Sequence, residues 1–210
     1  MIDLQKQFRE YKICAIFRGV PLQKTLDYGR ALYNGGIRMF EVATNSADAY
    51  EQIRILRKSL GEDALIGAGT VITGERCRLA FEAGAGFFLT PSVSENVFAF
   101  CVAHGIGLLP GVMTPSDVAF SLSHGCQMMK LFPAGAMPKG YIRQLKGPFD
   151  DTEYVAVGGV SPENVSEFFA QGYIGAGIGS SLVPAKLLAE ERWDEIEASI
   201  KKMMGGLNAQ

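Results

Sequence analysis

Lys130 is the only charged residue in Cys126–Pro133, an apolar run of strand length, whereas most other lysines lie in polar, helix-like or terminal segments. Burial disfavours an ammonium ion and can lower a lysine pKa by several units from its ordinary value of ~10.4. The amine so produced is a nucleophile that can attack a ketone and form a Schiff base. A buried lysine paired with a carboxylate is the competing reading of the same segment, because ion-pair networks also perturb lysines. Glu41 is the one carboxylate in a second such run, Ile37–Ala43. Strand alternation puts Glu41 on the face of Met39 and Ala43, and Lys130 on the face of Met128 and Phe132. Were both faces to look into one enclosed core, an amine and a general acid/base would share a pocket. For Glu41, too, a structural ion pair is the alternative.

A third feature is glycine-rich. Val157-Gly158-Gly159-Val160-Ser161-Pro162-Glu163 and, further on, Gly177-Ile178-Gly179-Ser180-Ser181 each follow an apolar run. Glycines admit close backbone approach, and Ser161-Pro162 reads as a helix cap with a proline in the first turn, an arrangement that attracts anions. Tight turns alone would be the bland explanation. The two histidines, His104 and His124, each directly precede a glycine that ends a helix-like stretch. There an imidazole complements the last carbonyls and the helix dipole. That leaves no histidine for a metal site or a Ser-His triad, and zinc-dependent aldol chemistry is disfavoured with them.

These residues need elements to hold them, and a repeat supplies the elements. Glycines close helix-like stretches at Gly36, Gly61, Gly84, Gly105, Gly125, Gly147 and Gly172, at intervals of 25, 23, 21, 20, 22 and 25 residues. Each suits the left-handed helix-ending position, and a short apolar run follows it. With Ile13–Phe17 first, the runs at 37–43, 64–67, 86–90, 106–110, 127–132, 154–157 and 174–178 bring the strands to eight. Helix and strand in regular alternation imply parallel strands, hence a single-domain (β/α)8 barrel over residues 1–210 with an extra N-terminal helix. An open doubly wound sheet would want its glycine-rich turn after the first strand, and here it follows the last. In a barrel the chemistry gathers at the strand C-termini. Those read Arg18-Gly19, Glu41 with Asn45, Gly69-Thr70, Thr90-Pro91, Pro110-Gly111, Lys130 with Phe132-Pro133, Gly158-Gly159, and Gly177 to Ser181. Strands 7 and 8 are the usual phosphate position of this fold.

Composition narrows the partners. Lys+Arg 20 against Asp+Glu 22 leaves a net charge of -2, with no basic surplus for nucleic acid or an anionic membrane. Cys14, Cys77, Cys101 and Cys126 show no paired short spacing and read as reduced thiols. Charge interrupts Met1–Glu10, and no run approaches ~18 apolar residues. A cytoplasmic protein is expected.

Together these residues resemble the 2-keto-3-deoxy-6-phosphogluconate (KDPG) and 4-hydroxy-2-oxoglutarate (KHG) aldolase family. The resemblance covers nearly the whole chain. It is carried by Phe40-Glu41-Val42, Ile66-Gly67-Ala68-Gly69-Thr70-Val71, Thr90-Pro91, Leu109-Pro110-Gly111, Lys130-Leu131-Phe132-Pro133-Ala134, Gly158 through Asn164, and Gly179-Ser180. It implies a metal-free class I aldolase without a cofactor, assembled as a homotrimer. By the same resemblance Lys130 is the Schiff-base lysine and Glu41 the proton shuttle. Thr70, Pro91 and Phe132 form the keto-acid site, and Gly158, Gly159, Gly179 and Ser180 hold the phosphate. Asn45 stands where the phosphogluconate-cleaving members carry an arginine. The phosphogalactonate branch is more similar there, and it shares the Arg18-Gly19 pair. Arg18, on the neighbouring strand end, is then the expected carboxylate partner, with Asn45 beside the substrate. The implied substrates are a phosphorylated 2-keto-3-deoxy sugar acid and 4-hydroxy-2-oxoglutarate, and pyruvate is the common product. Two other readings are a metal-free isomerase, epimerase or synthase using Glu41 as a base, and a non-catalytic sugar-phosphate sensor. Neither needs a buried lysine facing a carboxylate.

Overall fold

Each of the eight apolar runs becomes parallel strand in the computed structural model, which describes residues 2–208. Met1, Ala209 and Gln210, included in the single-domain reading, lie outside the described residues. The strands are β1 (Ile13–Phe17), β2 (Met39–Ala43), β3 (Leu65–Gly69), β4 (Phe87–Leu89), β5 (Gly107–Leu109), β6 (Gly111–Val112), β7 (Met128–Leu131), β8 (Glu153–Val157) and β9 (Gly175–Ile178). They follow the order β5-β4-β3-β2-β1-β9-β8-β7-β6. Eight unbroken strands were expected, and the fifth run departs from this: Pro110 has no N–H for the ladder and divides it into β5 and β6. β5 pairs with β4, β6 pairs with β7, and the Pro110 carbonyl between them accepts the Lys130 N–H at 2.9 Å. The divided strand therefore closes the ring, and the fold is a (β/α)8 barrel. The strand also runs past Pro110-Gly111, expected as its end, to Val112. Gly111 is bare because a Cβ there would lie 2.5 Å from the Thr90 carbonyl oxygen.

Around the barrel stand α2 (Thr25–Asn34), α3 (Ala49–Ser59), α4 (Gly74–Glu82), α5 (Glu95–His104), α6 (Pro115–Ser123), α7 (Tyr141–Lys146), α8 (Val165–Ala170), α9 (Ala185–Ala189) and α10 (Trp193–Asn208). Local chemistry sets several of their ends. Thr114 and Asp117 form a reciprocal capping box around Pro115 at the start of α6. Of the seven expected helix-ending glycines, Gly36, Gly84, Gly105, Gly125 and Gly172 have positive φ. Gly61 and Gly147 do not. α3 closes through an extended Leu60, and Gly61 instead makes room for Tyr33, whose hydroxyl would be 2.2 Å from a Cβ. His104 and His124 donate through Nδ1 to the carbonyls of Phe100 and Phe120, each at 2.9 Å, as helix-end residues.

Two hydrophobic layers follow from strand alternation. Outward residues such as Ile13, Phe40, Phe88 and Ala176 pack under the helices, while Cys14, Met39, Phe87, Leu89, Leu109, Met128, Val155 and Val157 fill the barrel. The extra N-terminal helix, α1 (Leu4–Tyr11), plugs the barrel floor with Leu4 and the fully buried Phe8. Phe8 presses on bare backbone: a Cβ at Gly175 would sit 2.5 Å from its ring. Burying a side chain of this size contributes about 1.5–3 kcal/mol. The floor is thus sealed and the strand C-termini are left open.

Candidate active site

Glu41 on β2 and Lys130 on β7 both point inward, and β2 and β7 are four places apart in a ring of eight. Their side chains therefore face one another across the interior, at 1% and 5% exposure. None of the salt bridges among the described residues includes either group. Glu41 Oε2 has no hydrogen-bond partner, although buried polar atoms are normally satisfied. The structural ion pair weighed above thus fails on geometry. β3 provides the space for Glu41: a Cβ on Gly69 would lie 1.5 Å from Glu41 Oε1.

Burial raises the Glu41 carboxyl above its ordinary pKa, against the opposing charges of Lys130 and Arg18. Burial also lowers the Lys130 ammonium; Glu41 resists this, Arg18 adds to it, and the Cys14 thiol below resists it weakly. Both groups are pushed toward their neutral forms, which suits an attacking amine and a carboxyl that takes up and returns a proton. Phe132 walls the amine, its ring centroid 4.9 Å from Lys130 Nζ.

Arg18 and Thr70 meet at the mouth. Arg18 Nη2 donates to Thr70 Oγ1 and Nη1 to Asn45 Oδ1, both at 3.3 Å. Arg18, the expected carboxylate partner, is solvent-exposed. Asn45, expected beside the substrate, is not among the residues lining the cavity and touches it through Arg18.

On the far side the two glycine loops come together. Gly158 and Gly159 both adopt left-handed backbone, with φ 86° and 77°. Their carbonyls are occupied by Gly135 N–H at 2.8 Å and Asn164 Nδ2 at 2.9 Å, and Ser181 Oγ takes the Val160 carbonyl at 2.6 Å. Those bonds hold the three carbonyls, and the two glycines, bare of side chains, allow close approach to the backbone at this wall of the cavity. One expectation needs correction: Ser161 does not cap a helix here. α8 begins only at Val165 and is one and a half turns long, so Ser161–Asn164 form a turn, and Asn164 Oδ1 accepts the Ser161 N–H at 2.8 Å. At this wall of the cavity the backbone of the glycine loops, and not a helix N-terminus, lines the space.

All these groups open on one cavity of about 260 Å³, lined by Arg18, Glu41, Thr70, Pro91, Lys130 and Phe132 on one side and by Gly158, Gly159, Gly179 and Ser180 on the other. Of the residues expected from the sequence only Asn45 falls outside this lining. Ile16, Val157, Val160, Gly177 and Ser181 complete it; the last four belong to the two glycine-rich segments singled out above, without a role of their own there, and Ile16 was not anticipated. Alternation was the available signal for two of them, since Ile16 pairs in register with Glu41 and Val157 lies two residues beyond Val155. Size alone does not select the site: an apolar cavity of about 350 Å³ between α1 and α5 lies at the closed end of the barrel.

The family model "KDPG and KHG aldolase" matches residues 4–199. Escherichia coli K12 2-dehydro-3-deoxy-6-phosphogalactonate aldolase is 32% identical over 190 residues, 90% of this chain and 93% of the relative. Treponema pallidum 2-dehydro-3-deoxy-phosphogluconate aldolase is 30% identical over 199 residues, 94% of each chain. Among solved structures, Legionella pneumophila KDPG aldolase, with pyruvate captured as a covalent carbinolamine intermediate, superposes with a TM-score of 0.86 at 26% identity, covering 96% of this chain and 98% of that one. An opposed buried amine and carboxylate at the mouth of a closed barrel, together with a family match over almost its whole length, establish that this chain belongs to the KDPG and KHG aldolase family of lyases.

Proposed function

We propose that this chain cleaves a 2-keto-3-deoxy-6-phospho sugar acid to pyruvate and glyceraldehyde 3-phosphate through a Schiff base on Lys130. The observation that carries the reading is the unpaired Lys130 amine, buried beside Phe132 and opposite an unpartnered Glu41 oxygen. The Lys130 amine adds to the C2 ketone, and the carbinolamine loses water to give an iminium ion. Glu41, through a water, accepts the C4 hydroxyl proton; the C3–C4 bond breaks and its electron pair moves into the enamine as the aldehyde leaves. Glu41 then returns the proton to C3, and hydrolysis of the iminium releases pyruvate and restores the amine. Arg18 and Thr70 receive the carboxylate, Pro91 and Phe132 form the walls, and Gly158, Gly159, Gly179 and Ser180 hold the phosphate. The phosphogalactonate sugar acid is the preferred substrate, a reading supported by Asn45 and its bond to Arg18. 4-Hydroxy-2-oxoglutarate is a further substrate, cleaved to pyruvate and glyoxylate.

The test is incubation with pyruvate and borohydride followed by mass mapping. A stable adduct on Lys130 is expected; label on another lysine, or none from active enzyme, refutes the assignment. The proposal extends to one catalytic unit per chain, in a cytoplasmic homotrimer, on the family resemblance. No helix among the described residues is long and apolar enough to cross a membrane. Light scattering at the monomer mass would contradict the trimer.

A further inference from the structure

Thr70 is a β-branched residue with φ 57°, in the left-handed region that side chains of this kind avoid. A strained residue at a site persists only where its surroundings over-determine it. Those surroundings are two donors from separate elements. Thr44, 7% exposed in the turn after β2, places Oγ1 2.9 Å from the Gly69 carbonyl and 3.0 Å from the Thr70 carbonyl. Arg76, in the first turn of α4, reaches back to donate Nη1 to the same Thr70 carbonyl at 2.9 Å. Arg76 takes part in no salt bridge among the described residues, so this carbonyl is the partner its guanidinium holds. The preceding residue is constrained as well: the Gly69 carbonyl takes the Thr44 N–H at 2.8 Å, and Glu41 occupies the Cβ position of Gly69. Chain direction into Thr70 is therefore set by Glu41 and Thr44, and chain direction out of it by Thr44 and Arg76. With the carbonyl turned toward these donors, the Thr70 hydroxyl faces Arg18 Nη2 at the cavity mouth. A glycine would adopt this backbone without strain; a threonine there keeps a hydroxyl in a fixed direction.

We propose that Thr44 and Arg76 are positioning residues that hold Thr70 left-handed, so that its hydroxyl and the Arg18 guanidinium together receive the carboxylate of the keto acid. This rests on the Schiff-base reading above. The experiment measures borohydride trapping on Lys130 across a pyruvate series and, in parallel, across a hydroxyacetone series, a ketone without a carboxylate. Thr44→Val and Arg76→Met are expected to raise half-saturating pyruvate about tenfold, the scale of one hydrogen bond, with Thr44→Ser within about twofold of wild type. Hydroxyacetone labelling should be unchanged in all three. Equal half-saturation by pyruvate in wild type, Thr44→Val and Arg76→Met overturns the proposal. A parallel loss of pyruvate and hydroxyacetone labelling also overturns it, because that is the signature of a general structural role. Absence of label on wild-type Lys130 with either ketone would remove the Schiff-base reading itself, and the positioning role with it.

Discussion

Gly69→Ala tests the catalytic geometry without touching a reactive group. The added methyl carbon would lie 1.5 Å from Glu41 Oε1, 2.2 Å from Cδ and 2.7 Å from Cγ, so the carboxylate has to leave its position across from Lys130. Gly69 does not have positive φ, and alanine suits its backbone. The cost to the fold is therefore that of a small overpacking, about 1–3 kcal/mol, which a folded domain can absorb. The cost to catalysis is larger. A positioned general acid/base contributes roughly 10²–10⁴-fold, and a carboxylate moved by an ångström or more loses much of it. Aldol cleavage by Gly69→Ala should fall about 10²–10³-fold in kcat, close to the loss in Glu41→Gln, and the double variant should be little worse than either single one, since residues acting as a unit are not additive. Trapping on Lys130 should survive at saturating pyruvate, because the added methyl displaces Glu41 and leaves the amine itself untouched. Steady-state kinetics, borohydride labelling and a thermal melt on the same preparations separate these effects. Turnover of Gly69→Ala within about twofold of wild type, with a normal melt, would show that the Glu41 position is not required.

Arg18→Ala should lower kcat/KM about ten- to hundredfold, the scale of a charge-assisted hydrogen bond at an exposed site, and Arg18→Lys should recover little because the fork that spans Thr70 and Asn45 is lost; wild-type kinetics would move the carboxylate onto other groups. Glu41→Gln should raise Tm near neutral pH, because the variant no longer buries an ionisable carboxyl whose charged form burial disfavours. Because the folded Glu41 pKa is raised above 4.5, wild type loses stability as pH rises through that folded value, and the advantage of the variant should vanish below pH 4.5; a pH-independent difference in calorimetry would refute this. Asn164→Ala should release the Gly159 carbonyl and raise KM for the phosphorylated substrate, while half-saturation of the unphosphorylated pyruvate label stays as in wild type; equal changes in both would deny the loop its anion role.

Much of the barrel was legible along the chain because its signals are local. The apolar runs, and the glycines that close α2, α4, α5, α6 and α8, are dictated by backbone sterics and short-range hydrogen bonds. Lys130 and Glu41 stood out for the same reason, since an isolated charge in an apolar strand is visible without a partner. Where the reading failed, a longer-range contact had overruled local preference. Gly61 yields to Tyr33, and Asn45 reaches the site only through Arg18; Ser161 is the local exception, where Asn164, three residues on, takes its N–H and a turn replaces the cap.

By itself, then, the sequence determined the strands, their inward faces and the two groups suited to imine chemistry. Only the closed ring decided that β2 and β7 would oppose each other, that Gly69 would give its Cβ space to Glu41, and that Thr44 and Arg76 would converge on Thr70. Those contacts join residues on different strands and loops, and no local pattern encodes them. They arise when eight parallel strands close and their C-terminal ends share one small volume.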